Sequence, residues 1–391
     1  MRAFVFTDAS LKRHAGRFVW LDLDTEKGKN AAARKQLKVQ ALPTYFIVDP
    51  ETEKVALRWV GGMTLAQFER VLDEGQLAAT GARAGVPVVA TEAADVALDR
   101  ADRLYGDGDF AAAATAYAEA IAGAPRDWPR YGRSVESLLF ALSQTDSTLA
   151  CATLALEAYP RLRGTPSAAN VAASGLDGAL GLPEDHARRR DLIALNEANL
   201  RAALADTAVK IAADDRSSCM AALMEARKDA ADSVGARRMA EEWAAYLERE
   251  AGRAQTAEQR TVFDSHRLSA YLELGQPERA IPVLEAAERE LPDDYNPPAR
   301  LAVAYMSLKR WDDALAATGR ALAKVYGPRK LRVMQARADC FAGKGDVPSA
   351  RKTLEEAVAF AESLPPGQRS EAAIAALKKK LEALAAPPAG N

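Results

Sequence analysis

Hydrophobic residues follow two different periods along the chain. In the first 75 residues, short β-rich runs alternate with helical segments, whereas from about residue 95 to residue 385 apolar side chains recur at helical spacing. Residues 76–94 carry two glycines, a proline and little periodic hydrophobicity, which is typical of a linker. The pattern predicts an α+β fold class in which a small α/β domain precedes an all-α domain.

Five segments of the first 75 residues predict regular elements. Strands are expected at residues 18–24 (FVWLDLD), 44–48 and 54–60, because these runs are rich in β-branched and aromatic residues. Helices are expected at residues 29–38 and 64–74. The cap and the apolar face of the second helix consist of Thr64, Leu65, Phe68, Val71 and Leu72.

A proline directly precedes the second predicted strand, in the stretch ALPTYFIVD. Inside a strand a proline would remove a hydrogen-bond donor, so its place here needs a reason. Together with FVWLDLD before it, and with VALRWVGG and a helix after it, the stretch resembles the second half of a thioredoxin domain, in which a cis-proline loop feeds a strand. The resemblance covers residues 1–75. It implies a cis-proline at Pro43 and a peptide-binding loop made of Leu42, Pro43 and Thr44.

The chemistry of that family needs a Cys-x-x-Cys pair at a helix N-terminus, where the helix dipole lowers the thiol pKa. This sequence has no cysteine before Cys151, and the resemblance also lacks the first strand of the family core. Three arrangements remain open: residues 2–6 (RAFVF) replace that strand, the sheet is partly open, or the natural protein starts further upstream. We expect the last of these, a shortened start.

Residues 96–125 place small and aromatic side chains at regular spacings. Gly108 and Asp109 predict a tight turn between two antiparallel helices, which approach closely at alanines, and Phe110 and Tyr117 fill the remaining gaps. The complete set is Ala101, Leu104, Gly108, Asp109, Phe110, Ala113, Tyr117, Ala120 and Pro125. These spacings resemble a tetratricopeptide repeat, a helical hairpin of about 34 residues.

Three further copies of the pattern follow near the C-terminus. Their shared alanine recurs at Ala280, Ala314 and Ala350, with separations of 34 and 36 positions. Between Pro125 and Phe263 the pattern is degenerate but still helical, so we expect the stack to continue. The prediction is a superhelical repeat domain over residues 95–366.

The end of the chain predicts a cap for the repeats. Residues 367–385 form a helix with one apolar face, which would cover the exposed core of the last repeat. Lys378 to Lys380 are expected on its solvated face. Residues 386–391 (APPAGN) are expected to be disordered.

The resemblance to tetratricopeptide proteins implies that a protein or peptide binds the concave face formed by the first helix of each repeat. In the C-terminal repeats this face would present Ser265, Ser269, Leu272, Val303, Met306, Arg332 and Asp339. One subtype of the family clamps a C-terminal carboxylate. That role is disfavoured, because the corresponding positions hold Ser265, Ser269 and Arg300, and only Arg332 is basic as required.

Composition and charge argue against nucleic acid and membranes as partners. The 391 residues carry a formal net charge of -2, so no global field would draw the protein to nucleic acid or to an anionic membrane. The basic stretch at residues 186–190 (HARRR) is offset by neighbouring acids and predicts a solvated helix face. No run of about 18 apolar residues predicts membrane insertion.

The cysteines and histidines predict neither a disulfide framework nor a metal site. Cys151, Cys219 and Cys340 are single, far apart and odd in number, so we expect them to be small hydrophobic residues inside helices. The three histidines are equally scattered and show no ligand spacing. We expect no metal and no other cofactor.

Two functions remain open. The first is a protein-interaction scaffold of the tetratricopeptide type with a redox-inactive thioredoxin-like segment. On this interpretation, the chain as written is not expected to be an enzyme. The alternative is a thiol-disulfide oxidoreductase whose Cys-x-x-Cys lies upstream of a truncated start. Because the N-terminus lacks a signal-peptide pattern, the chain as written is expected in the cytoplasm. A periplasmic or secreted location stays open if an upstream signal sequence is missing.

Overall fold

A computed structural model of the chain describes residues 1, 3–39, 42–83 and 93–385. The chain divides into two compact units. Unit 1 comprises Met1–Trp20 and Ala33–Met239, and unit 2 comprises Leu21–Ala32 and Ala240–Asn391. Helices make up most of both units, as the C-terminal periodicity predicts.

The sheet of unit 1 is an antiparallel pair among the described residues. It consists of β1 (Thr44–Val48) and β2 (Val55–Val60), which confirms two of the three predicted strands. The paired residues are Thr44 with Val60, Tyr45 with Trp59, Phe46 with Arg58, Ile47 with Leu57 and, after an irregularity, Val48 with Val55. Two short 3₁₀ helices, Ala9–His14 and Gly28–Asn30, and the helix α1 (Ala31–Gln36) precede the sheet.

Helix α2 (Leu65–Arg83) packs against this hairpin. Thr64 and Gln67 form a reciprocal cap, in which the Gln67 N–H donates to the Thr64 hydroxyl (3.3 Å) and the Thr64 N–H to the Gln67 side chain (2.8 Å). Gly75 is required where the helix meets β1, because a Cβ there would lie 2.0 Å from the Ile47 Cδ1 atom. The buried residues of this contact are Met63, Phe68, Val71 and Leu72.

The strand expected at residues 18–24 is wrong, and the open alternative of a strand at residues 2–6 is not found among the described residues. Residues 18–24 have no regular secondary structure, and Val19 is 89% exposed. A strand needs a neighbour that takes its N–H and C=O groups, and the described sheet offers this run none. Residues 3–6 form a turn instead of a replacement strand, because the N–H groups of Val5 and Phe6 donate to the Met1 carbonyl. Arg2 lies outside the described residues.

The predicted linker begins as helix. α2 runs nine residues beyond its predicted end at residue 74 and buries Ala79 in its extension. Residues 84–92 lie outside the described residues, as does the tail, residues 386–391. α3 begins at Ala93.

The remaining helices of unit 1 follow one another with short connections. They are α3 (Ala93–Gly106), α4 (Phe110–Gly123), α5 (Tyr131–Ser143), α6 (Thr148–Leu162), α7 (Ser167–Leu180), α8 (Arg189–Ala205), α9 (Ala213–Asp229) and α10 (Ser233–Arg253), the last of which contains the division between the units. Consecutive helices pack together, and α7 also contacts both α5 and α9. Alternate helices therefore lie side by side, as stacked hairpins require.

Unit 2 contains the C-terminal hairpins. Its helices are α11 (Ala257–Thr261), α12 (Asp264–Glu273), a 3₁₀ helix (Pro277–Ala280), α13 (Ile281–Glu290), α14 (Asn296–Ser307), α15 (Trp311–Leu322), α16 (Arg329–Gly343), α17 (Val347–Ser363) and α18 (Glu371–Ala385). The repeated alanines Ala280, Ala314 and Ala350 are all buried. α18 packs on α17, so the predicted capping helix is present, with Ile374 and Leu377 in the core of the last hairpin.

One turn position recurs in six hairpins of the two units, although the α7–α8 hairpin lacks it. Two residues before the second helix begins, the backbone adopts a left-handed conformation with positive φ. The residues are Gly108, Asp146, Ala231, Gly275, Lys309 and Gly345. Glycine adopts this conformation without a steric cost, whereas alanine and lysine do not. These hairpins thus share a backbone geometry, but only three of the six positions hold glycine, the residue type that predicts it.

A segment of the predicted N-terminal domain belongs to unit 2. The Tyr326 hydroxyl donates a hydrogen bond to the Asp24 carboxylate, and Arg329 Nε lies 3.3 Å from a Glu26 oxygen. The Gln368 side chain donates to the Glu26 carbonyl at 3.2 Å. Residues 21–32 therefore pack on the connections that precede α16 and α18.

Candidate functional site

The first helices of the three C-terminal hairpins lie side by side in unit 2. α12 contacts α14, and α14 contacts α16, so that side chains from three repeats contribute to one surface. We call this surface the first-helix face of unit 2. All seven residues predicted to bind a peptide lie on these three helices, and none of them is buried: Ser265, Ser269, Leu272, Val303, Met306, Arg332 and Asp339.

Two rows of this face follow the repeat. Ser269, Val303 and Asp339 occupy the same position in successive first helices, as do Leu272 and Met306 in the first two. The Ser269 hydroxyl donates to a backbone carbonyl one turn earlier in its own helix, at 3.1 Å. One row therefore alternates polar and apolar side chains across the helices, and the other is apolar.

The capping helix closes one end of this face with charge. Lys380 of α18 lies 2.6 Å from the Asp339 carboxylate, and Lys378 lies 2.8 Å from Glu362 on α17. Two of the three lysines that were expected on a solvated face therefore form ion pairs, because α18 packs with its lysine edge toward α16 and α17. Asp339 is held by the protein itself, which leaves it less available to a ligand.

The basic stretch at residues 186–190 also contains a paired residue. Arg189, at the start of α8, donates to both carboxylate oxygens of Asp229 at the end of α9, with Nη1 at 2.9 Å from Oδ2. It also donates to the carbonyls of Leu180 and Leu182. The interpretation as a solvated face is wrong for this residue, because the loop after α7 folds against its guanidinium.

A buried charge cluster lies at the start of α12. Asp264 is 2% exposed, and neither carboxylate oxygen accepts a hydrogen bond within the described residues. The nearest cation is Arg267, whose Nη1 lies 3.7 Å from Oδ1. Burial raises the pKa of Asp264, and the charges of Arg267 and Arg300 oppose that rise.

Arg300 and Arg332 extend this cluster onto α14 and α16. Among the described parts of the chain, neither guanidinium donates a hydrogen bond or forms an ion pair. Burial lowers the pKa of Arg300, and the positive charge of Arg332 lowers it further. Asp264 and Asp294 oppose this shift. We call Arg267, Arg300 and Arg332, one from each first helix, the arginine cluster.

Sequence reasoning found only part of this cluster. Arg332 was predicted on the face, whereas Asp264 and Arg267 were not singled out, and Arg300 was considered only against a carboxylate clamp. The available signal was the ionic pair of Asp264 and Arg267 inside the first turn of an otherwise amphipathic helix. Their burial depends on the packing of α14 beside α12, which the spacing alone does not give.

The first helices of unit 1 carry the opposite charge. Glu136 on α5, Asp177 on α7 and Asp215 on α9 each have a raised pKa, which burial causes first in every case. The pKa of Asp177 rises to about 6, and the negative charge of Glu225 contributes to the rise. These helices contact one another in the order α5, α7, α9. The first-helix face of unit 1 is therefore acidic.

The predicted proline loop lies in front of β1. The Leu42–Pro43 peptide bond is cis, and both residues are exposed. Thr44 is the first residue of β1. The Gly61 N–H, directly after β2, donates to the Pro43 carbonyl at 2.8 Å, so the loop is tied to the end of the hairpin.

The three cysteines lie inside helices, as predicted. Cys151, Cys219 and Cys340 are buried on α6, α9 and α16. Burial raises the pKa of these thiols to about 11, 12 and 11, respectively. Thiolates are the nucleophiles of disulfide exchange, so these side chains are poorly suited to it at neutral pH.

No group of histidine, cysteine and acidic side chains in the described ranges has the arrangement of a metal site. His14 is buried between Arg13 and Arg17, and burial lowers its pKa. None of the helices in the same ranges combines the length and apolar character needed to span a membrane.

Comparisons with known proteins address the repeats. A model of the tetratricopeptide repeat family matches residues 271–329, from the end of α12 to the start of α16. A tetratricopeptide repeat protein from Parabacteroides merdae has a similar solved structure, with a TM-score of 0.44 and 10% identity over 74% of this chain and 98% of that one. The curated proteins contain no match. The family match supports the tetratricopeptide prediction for the matched segment, which contains α13, α14 and α15.

Proposed function

We propose that the protein is an interaction scaffold that holds a peptide segment of a partner protein on the first-helix face of unit 2. The supporting observation is that three adjoining first helices, within and next to the family match, keep a row of apolar and polar side chains accessible. Such a surface suits an extended segment that crosses the helices, in which about every third side chain would reach the next repeat.

The residues proposed to contact the segment are the seven predicted from the sequence. Leu272 and Met306 supply apolar contact, Ser265, Ser269 and Val303 line the path between them, and the polar contacts come from two further residues, Arg332 and Asp339. Because Lys380 already engages Asp339, we expect that carboxylate to contribute least to binding.

A displayed library of random peptides tests this function. The wild-type protein is expected to enrich a defined set of sequences, and the double variant Leu272→Gln with Met306→Gln should lose that set, because the apolar contacts are gone. The matched control is Leu195→Gln with Val347→Gln, which replaces two exposed apolar residues outside the face. Failure of the wild-type protein to enrich any sequence, or equal losses in both double variants, would contradict the proposal.

We further propose that residues 1–75 are a thioredoxin-like segment without dithiol chemistry in this chain. Support comes from the β1–β2 hairpin, the proline loop tied to Gly61 and the closing helix α2. The oxidoreductase alternative has no supporting observation among the described residues. An insulin-reduction assay is expected to show no thiol-dependent turnover, since the three thiols are buried with raised pKa values. Clear turnover above a triple Cys→Ser variant would show that one of them reacts.

A further inference from the structure

The arginine cluster has more cationic groups than acceptors. Asp294 is already occupied, because its Oδ1 accepts hydrogen bonds from the Asn296 N–H (2.9 Å) and from the Asn296 side-chain amide (2.8 Å). Asp264 receives no hydrogen bond within the described residues, although Arg267 lies beside it. Arg300 and Arg332 are thus left without a hydrogen-bonded counterion in that part of the chain.

This arrangement costs free energy at Arg300 in the isolated protein, whereas Arg332 is exposed to solvent. A guanidinium that loses contact with water without gaining a hydrogen bond is destabilising, and the lowered pKa of Arg300 reflects this. Proximity of Arg332 adds repulsion. Neither residue packs on an aromatic ring among the described residues, whereas Arg310 and Arg337 of the same unit lie over Tyr305 and Phe341. A packing role therefore does not account for these two charges.

The chemistry of a matching ligand follows from the side chains. Arginine forms paired, charge-assisted hydrogen bonds with carboxylates, and these are stronger in a partly desolvated place than in water. Arg300 and Arg332 lie on neighbouring helices, with Arg267 on the helix before them, and the charge of Arg332 is close enough to act on Arg300.

We propose that the arginine cluster binds the side-chain carboxylates of an acidic peptide segment, with one acidic residue at Arg300 and a second at Arg332. This inference rests on the proposed function and specifies the class of partner. Asp264, which is buried beside Arg267, stays paired with that arginine and does not touch the ligand. Side-chain carboxylates are favoured over a C-terminal one, because the serines Ser265 and Ser269 replace the residues of a terminal clamp.

The test uses a random peptide library fused at its C-terminus, so that side chains supply all carboxylates. The full-length wild-type protein is expected to enrich sequences with two acidic residues, and a selected peptide should lose at least about tenfold in affinity when both are changed to glutamine. Arg332→Gln and Arg300→Gln should each weaken that peptide about tenfold. Arg289→Gln, on the exposed surface of α13, removes the same charge and should change affinity less than twofold.

The outcomes separate this inference from the proposed function. Enriched peptides without acidic residues that still depend on Leu272 and Met306 would overturn the acidic partner and leave the scaffold standing. Acidic enrichment only in a library with free C-termini would also overturn it, since the ligand group would then be the terminal carboxylate. Should Arg300→Gln fail to fold, the exposed Arg332 still decides the matter, because no described contact depends on its side chain.

Discussion

Asp102 of unit 1 and Asp264 of unit 2 are both buried carboxylates on helices of the repeats, and their surroundings differ. Asp102 accepts hydrogen bonds from the Arg133 guanidinium and from the Tyr117 hydroxyl, each at 2.7 Å. Asp264 accepts none within the described residues. Because a buried polar group costs free energy unless it is hydrogen-bonded, the first cluster serves folding, whereas the second is incomplete in the isolated chain.

The same contrast extends over the first-helix faces. In unit 1 the face gathers carboxylates, and in unit 2 it gathers guanidinium groups. Both faces are built from helical hairpins, most of which share the left-handed turn position. The fold therefore constrains the backbone of the turns and the residue type at the buried alanines. It does not constrain the charge of the face, which differs between the two units.

The largest expected effect on stability is at Asp102, which is hydrogen-bonded to Arg133 and Tyr117. Asp102→Ala should lower the free energy of unfolding of unit 1 by about 3–5 kcal/mol, because it leaves Arg133 buried and unpaired. Urea unfolding followed by circular dichroism measures this. The control Glu119→Ala removes the partner of Arg100 from a pair in which both side chains are about half exposed, and should cost less than about 1 kcal/mol. Equal effects in the two variants would remove the distinction between the buried and the exposed pair.

A second prediction concerns the geometry that the units share. Gly108→Ala in unit 1 and Gly345→Ala in unit 2 should each cost about 1–2 kcal/mol, because both residues have positive φ. A Cβ at Gly345 would meet no atom within 4 Å, so any cost there comes from the backbone conformation. Gly123→Ala, with a similarly open surrounding and no positive φ, serves as the control. Thermal unfolding that gives the control variant the same loss would refute this explanation.

The acidic face of unit 1 predicts a pH dependence. The pKa of Asp177 is about 6 in the folded state against 3.8 as its ordinary value, so the folded state holds this proton at pH values where the unfolded state releases it. Stability from this group is therefore present at low pH and is lost as pH rises from about 4 to about 6. Asp177→Asn should stabilise the protein at pH 7.5 by up to about 1 kcal/mol, since the side chain keeps contact with solvent.

Melting temperatures of wild type and Asp177→Asn, measured at pH 7.5 and at pH 4.5, provide the check. The difference between the two proteins should shrink at the lower pH, where Asp177 is already protonated in the folded state. A constant difference at both pH values would show that the substitution acts through packing and not through charge. Glu157→Gln, a change of the same kind in α6, is measured beside it as the control for the loss of one carboxylate.

The smallest expected effect on stability comes from a substitution of Lys309. This residue has the left-handed turn conformation at the position where the neighbouring hairpins have Gly275 and Gly345. Lys309→Gly should stabilise unit 2 by about 0.5 kcal/mol, because relief of the backbone strain exceeds the added freedom of the unfolded chain. Lys352→Gly, at an exposed position in the interior of α17, should destabilise it instead. A loss of stability in Lys309→Gly would mean that the lysine side chain contributes more than the strain costs.

Much of the repeat region could be predicted from the sequence, because its signals are local. The turn at Gly108 and Asp109 and the recurrence of Ala280, Ala314 and Ala350 depend on residues close together in the chain, and the helices follow them. The hairpin of β1 and β2 has a similarly local origin. By contrast, FVWLDLD has the composition of a strand and no described strand beside it.

Charge contacts between distant elements could not be predicted in the same way. Lys380 meets Asp339, and Glu26 meets Arg329, only because the chain brings these elements together. The burial of Asp264 likewise requires α14 beside α12. At Lys309 and Ala231 the residue type gives no sign of the left-handed backbone, so the shared turn is visible only in the structure.

The most direct measurement of the central proposal is photo-crosslinking of a library-selected peptide to the full-length protein. A photoreactive residue replaces either Val303, in the middle of the first-helix face of unit 2, or Val347, an exposed residue at the start of α17. We expect the peptide to crosslink at position 303 and not at position 347, and excess unlabelled peptide to prevent the reaction. Crosslinking at position 347 alone, or at both positions equally, would contradict binding on the first-helix face.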